Sequence, residues 1–244
     1  MLTENQYADK ADAQPHEREH PAMTAMLRTI AAMQADDPLI GAKIAGQEVF
    51  HRFMELLKTE RGVNVESLFT GLGALAGFSC QMGIRAAYDQ RNEPLPFHFM
   101  KNEQGRVFYF GDELNAPLAE SSYSIWSLGA GQVQHLGGEL PELDEIFVHV
   151  TKTCASGGFG VPRYPGERAG NLPVEFIQTF WPILQPNVGK YCGNRFDDWH
   201  IAYGLAVQRA MDMTKETITP GNALKIVMES AIPMSKLDVR EVGL

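Results

Sequence analysis

The sequence predicts a mainly α protein of about eight helices with one small antiparallel β-hairpin: an α-rich α+β, multi-helical globular domain. Three observations carry this. Apolar residues recur at steps of three and four through most of the chain, as on the buried face of a helix. A single stretch, "PFHFMKNEQGRVFYFGD", switches to a strand-turn-strand pattern. Strands and helices never alternate in the way a βαβ sheet requires.

The elements follow in order. Residues 1 to 20 are polar and aperiodic. They read as a mobile tail, which leaves 21–244 as a single mainly helical domain. From Pro21, the residues Met23, Met26, Leu27, Ile30 and Met33 keep helical spacing. The next helix is punctuated by Asp37 as cap, Pro38 in the first turn and Gly62 as stop. Lys58 and Arg61 fall in its expected last turn, and Val49, Phe53, Leu56 and Leu57 supply a buried face.

A long helix is expected from about Val65 to Asp89. Within it, Ser67–Ile84 carries no charge. A spanning helix needs ~20 predominantly apolar residues and favours flanking basic or aromatic anchors. This run is short, contains several polar residues and glycines, and reads as a buried helix. Gly73, Ala76, Cys80, Gly83 and Ala87 form a row of small residues that lets another backbone come close. The partner is a helix of the same chain or a second copy of it.

The hairpin turns at Asn102–Gly105. A short or irregular helix follows from Asp112 or Asn115, then a helix through "SSYSIWSLGAGQVQH" closed by Gly137 and Gly138. In "LPELDEIFVHVTKTC", Leu143, Ile146, Phe147, Val150 and Cys154 share one face; Glu142, Glu145, His149 and Lys152 share the other. Residues 155–172 read as an irregular loop. A helix from Val174 is expected to stop at Pro182, with a second irregular stretch over 182–196. Asp197 is expected to cap the next helix, and Thr219-Pro220 to start the last, which ends near Pro233.

Composition excludes some classes of function. The net charge is −9 with 21 Lys and Arg, and these are scattered. Nucleic acid and anionic membranes are bound through clustered basic residues, so neither is expected as a partner. Three separated cysteines without a C-x-x-C pair suggest neither a disulfide framework nor a zinc knuckle. A cytoplasmic location is the expectation.

Two motifs fail on context. His16-Glu17-Arg18-Glu19-His20 spells H-E-x-x-H, a zinc-protease pattern that needs both histidines on one helical face. Pro21 removes the N–H that would bond Glu17 and clashes with that carbonyl, so no metal site is expected. "GLGALA", Gly71–Ala76, is G-x-G-x-x-A, but no second core strand follows it. No cofactor is therefore predicted.

The remaining chemistry gathers between 157 and 200. Arg163, Tyr164, Arg168, Trp181 and Trp199 are candidate ligand-binding residues, with the arginines suited to a small anionic ligand. Cys192, Asp197 and His200 are candidate catalytic residues, a thiol with an acid-base pair. Cys80 and Cys154 read as structural thiols. The expected function is a soluble small-ligand-binding or regulatory module with its site near loops 157–200. The alternatives are an enzyme using Cys192, His200 and Asp197, or a structural protein acting as a homodimer, the commonest closed oligomer.

Overall fold

The computed structural model describes residues 21–153 and 159–243. The His16–His20 motif, the polar tail and Cys154 lie outside the described residues. Among those described there are eight helices of eleven residues or more and one two-stranded antiparallel sheet. The mainly α class with a small hairpin is thus the observed architecture.

Helix α3 (Val65–Arg91) is the axis of the fold. It begins at Asn64, whose side chain accepts from the Ser67 amide, and ends at Asn92 in the left-handed conformation. Helices α7 (Pro173–Cys192), α8 (Trp199–Thr214) and α9 (Pro220–Met234) pack against it. Helix α2 (Ile40–Leu57) lies on α7 and α8, α5 (Ile125–His135) on α8 and α9, and α6 (Leu143–Thr153) on α9. Helix α1 (Pro21–Met33) touches α2 and α7, burying Ile30. Of the described helices, α3 alone is long and apolar enough to span a bilayer, and 89% of that apolar window is buried inside the protein.

The small residues of α3 explain the tight packing. A Cβ on Gly73 would lie 2.5 Å from the Val227 carbonyl oxygen, and one on Gly77 would lie 2.0 Å from that of Ala231. Both contacts are with α9, one turn apart on each helix, so the expected close partner is a helix of the same chain. The lower end of the row behaves differently. Cys80, Gly83 and Ala87 line a cleft, with Gly83 set against the Phe196 backbone.

The hairpin pairs β1 (His98–Lys101) with β2 (Val107–Phe110) in the register His98 to Phe110. Gly105 takes a positive φ in the turn. A single α-helical turn, α4 (Asp112–Asn115), runs into a π-helical turn, Ala116–Glu120. The Ser121 amide closes that wider turn on the Ala116 carbonyl at 2.9 Å.

Several boundaries depart from expectation. Pro182 does not stop its helix, and the irregular stretch expected over 182–196 is absent. Helix α7 runs on to Cys192 with Pro182 and Pro186 inside it. Both prolines are exposed, so the carbonyls they leave unbonded can be hydrated. The opposite face buries Phe176, Ile177, Trp181, Leu184 and Val188, which offsets a cost of ~3 kcal/mol per interior proline. Only Gly193–Arg195 remains irregular before a 3₁₀ turn at Phe196–Asp198.

Helix α2 starts later than expected because Asp37 folds back onto the Leu39 amide at 3.3 Å. It ends earlier, at Leu57, because Thr59 and Gly62 bond each other across a tight turn. Asp197 does not cap α8. The preceding position is held by Asp198, which gives no side-chain cap and pairs with Arg195 instead.

Candidate functional site

The cluster expected over 157–200 is distributed by the fold. Arg163, Tyr164 and Arg168 do line one cleft of about 380 Å³, together with His149. Trp181 is elsewhere, edge-on to Phe78 at 4.9 Å and stacked on Tyr203 at 5.9 Å in the core. Trp199 sits against Phe196 and lines a separate surface pocket with Arg85.

Arg163 is already occupied. Its amide donates to Glu229 Oε2 at 2.6 Å, its Nε donates to Glu229 Oε1 at 2.7 Å, and Nη1 donates to Glu145 at 2.6 Å. The Glu229 carboxylate is wholly buried in the middle of α9. A buried carboxylate requires a partner, so Arg163 serves as its counter-ion. The same guanidinium, with neighbouring charge from Lys225, holds the Glu145 carboxyl below its ordinary range. Tyr164 bonds Thr70 at 3.2 Å, and burial raises its pKa. Arg163 therefore ties the 159–172 segment to α6 and α9, leaving Arg168 as the arginine of that cleft with no charge partner in contact among the described residues.

The three candidate catalytic residues are also separated. Asp197 and His200, three residues apart, line the same cleft. Cys192 is not among its lining residues. It is buried in the core, and burial, with the Asp198 charge adding to it, pushes its thiol up to about 12. A thiol of that kind carries almost no thiolate at neutral pH.

The cleft that does contain Asp197 and His200 has a volume of about 420 Å³. Its floor is the C-terminal half of α3: Cys80, Gly83, Ile84 and Ala87. The opposing wall is Ala116 and Pro117 from the π turn. Such turns recur at functional sites because they displace side chains from α-helical register. The polar groups of the floor are satisfied within α3. Ser79 Oγ donates to the Ala76 carbonyl at 2.6 Å, and Cys80 Sγ donates to the same oxygen at 3.4 Å. The floor is thus apolar in effect. Ser121, Asp197 and His200 are shared with a second, neighbouring cleft of about 610 Å³ that reaches Asp37 and Lys43.

His200 is the unusual group. It is 8% exposed, and burial lowers its pKa to about 4, against a backbone hydrogen bond at Tyr123 that works to raise it. It is neutral at pH 7. The Nε2 atom is buried and has no hydrogen-bond partner among the described residues. Nε2 is thus an unpartnered nitrogen in the wall between the two clefts, and in the neutral ring it accepts when the proton sits on Nδ1.

Glu113, Ser121 and the π turn were not anticipated as parts of a site. Asp112–Ser121 offers no periodic pattern, and only Pro117 and the three acids Asp112, Glu113 and Glu120 mark it as unusual. Among the described residues, no cluster of three His, Cys, Asp or Glu side chains is arranged to hold a metal. The fold and cleft define a mainly helical protein with a small, apolar-floored pocket at the end of its central helix. No family model, curated protein or solved structure matches the chain.

Proposed function

We propose that the protein is a small-ligand-binding module. Its ligand is a largely apolar molecule with one hydrogen-bond donor, held in the cleft lined by α3, the π turn and His200. The observation that supports this most is the buried Nε2 of His200 in the cleft wall, unpartnered among the described residues. With its proton on Nδ1, the neutral ring leaves Nε2 an unsatisfied buried acceptor, which costs ~1–3 kcal/mol. A ligand that donates to it recovers that cost while its body covers Cys80, Ile84 and Ala87. Nε2 is closed off from water in this structure, so binding parts the wall at His200.

The alternative, nucleophilic chemistry by Cys192 with Asp197 and His200, draws no support from a protonated thiol set away from the cleft.

The test is an NMR titration with benzyl alcohol and with benzyl methyl ether, which share a body but differ in the donor. The alcohol is expected to shift resonances of Gly83, Ala87 and Ser121 at lower concentration than the ether. His200→Phe, with its fold checked by circular dichroism, is expected to erase the difference. Equal binding of both probes by the wild-type protein, or no binding of either, refutes the reading.

A further inference from the structure

We propose that the donor taken by this cleft is an organic ammonium, a protonated amine on an apolar body. The inference rests on the ligand-binding reading above and specifies the chemical class of ligand.

The cleft holds two carboxylates, Glu113 and Asp197, opposite in chain position and both on its lining. Neither has a hydrogen bond or an ion-pair partner among the described residues. The one cation in the same lining, Arg91, is already neutralised: its Nε lies 2.8 Å from Glu93 Oε2, and its guanidinium sits 4.3 Å from the centre of the Tyr88 ring. On the side of the second cleft, the cations are paired as well. Lys43 bonds Asp37 at 2.7 Å, and Arg195 pairs with Asp198. The charge left unmatched around the cleft is therefore negative.

The unpaired charges here are acceptors, the carboxylates of Glu113 and Asp197, and His200 in the tautomer proposed above adds Nε2 as a third; the Tyr88 and Ser121 hydroxyls of the same lining can donate or accept. An ammonium has three donors and no acceptor, so it complements all three groups at once. An alcohol satisfies only one of them, and a carboxylate or phosphate satisfies none. Below the ammonium, the apolar floor of Gly83, Ile84 and Ala87 fits a hydrocarbon body. The buried histidine supplies the observation independent of the acidic pair.

The probe is benzylamine at pH 7, where it is protonated, compared with benzyl alcohol by the same NMR titration. Benzylamine is expected to bind roughly tenfold more tightly, the advantage of charge-assisted over neutral hydrogen bonds. Asp197→Asn and Glu113→Gln are conservative changes at exposed side chains. Each is expected to reduce the preference for the amine, and together they should abolish it. If amine and alcohol bind equally, or if the amide variants keep the preference, the ammonium is excluded and the donor-ligand reading stands alone. If neither probe perturbs the cleft, both fall together.

Discussion

Lowering the pH should weaken the fold through His200, by an amount the structure sets. An unfolded histidine takes its proton near 6.5, whereas in the folded chain burial holds it back to about 4. Between those values the unfolded state binds a proton that the folded state does not. Stability then rises with pH: the His200 contribution is complete above about pH 6.5 and is lost progressively as the pH falls toward 4. Each pH unit of separation is worth ~1.36 kcal/mol, so the full effect is roughly 3 kcal/mol. Urea unfolding at several pH values between 7 and 4 measures it, with His200→Phe as reference. Carboxylates and the other histidines titrate alike in both proteins, so the difference in pH dependence isolates His200. The wild-type protein should lose roughly 3 kcal/mol more than the variant across that range. Parallel curves would show that His200 is not held neutral, and would remove the basis for treating Nε2 as an acceptor.

Three further outcomes follow from the packing. Gly77→Ala places a methyl group 2.0 Å from the Ala231 carbonyl, and thermal melting should show a loss of at least ~2 kcal/mol as α3 and α9 are forced apart. Arg163→Met leaves Glu229 charged and unpaired in the core, at a cost of ~3–5 kcal/mol; adding Glu229→Met should recover most of it, because the desolvation is then removed with the charge. Cys80 and Cys192 are buried with raised thiol pKa values, so iodoacetamide at pH 7.5 followed by peptide mass analysis should leave both unlabelled until the protein unfolds.

Much of the fold was legible because its determinants are local. The start at Thr219-Pro220, the turn at Asn102–Gly105 and the amphipathic face of α6 all act within a few residues of themselves. Of the row of small residues expected in α3, Gly73 meets α9, and Gly77, outside that row, meets it one turn on, whereas Cys80, Gly83 and Ala87 line the cleft; periodicity names neither α9 nor the extent of the close contact. Pro182 misled because a local rule was overridden by tertiary burial: the face carrying Phe176, Trp181 and Leu184 outweighs two interior prolines whose own side faces solvent. The candidate site was less legible for the same reason. Arg163 looked like a free anion receptor because nothing near it in sequence reveals Glu229, 66 residues away. Asp197 and His200 were legible as a pair by their spacing. Cys192 was drawn in by proximity along the chain, which does not place it in the cleft. Glu113 and the π turn reach the site only through the path of the chain after the hairpin, which no periodic pattern encodes.

The central claim is that His200 offers a bare Nε2 to a ligand in the cleft. Histidine ¹⁵N NMR at pH 7 tests it most directly. The account predicts a protonated Nδ1 and an unprotonated Nε2, whose resonance moves toward the hydrogen-bonded position when benzyl alcohol is added. A doubly protonated ring at pH 7, a bare Nδ1, or an Nε2 resonance unmoved at saturating alcohol would contradict it.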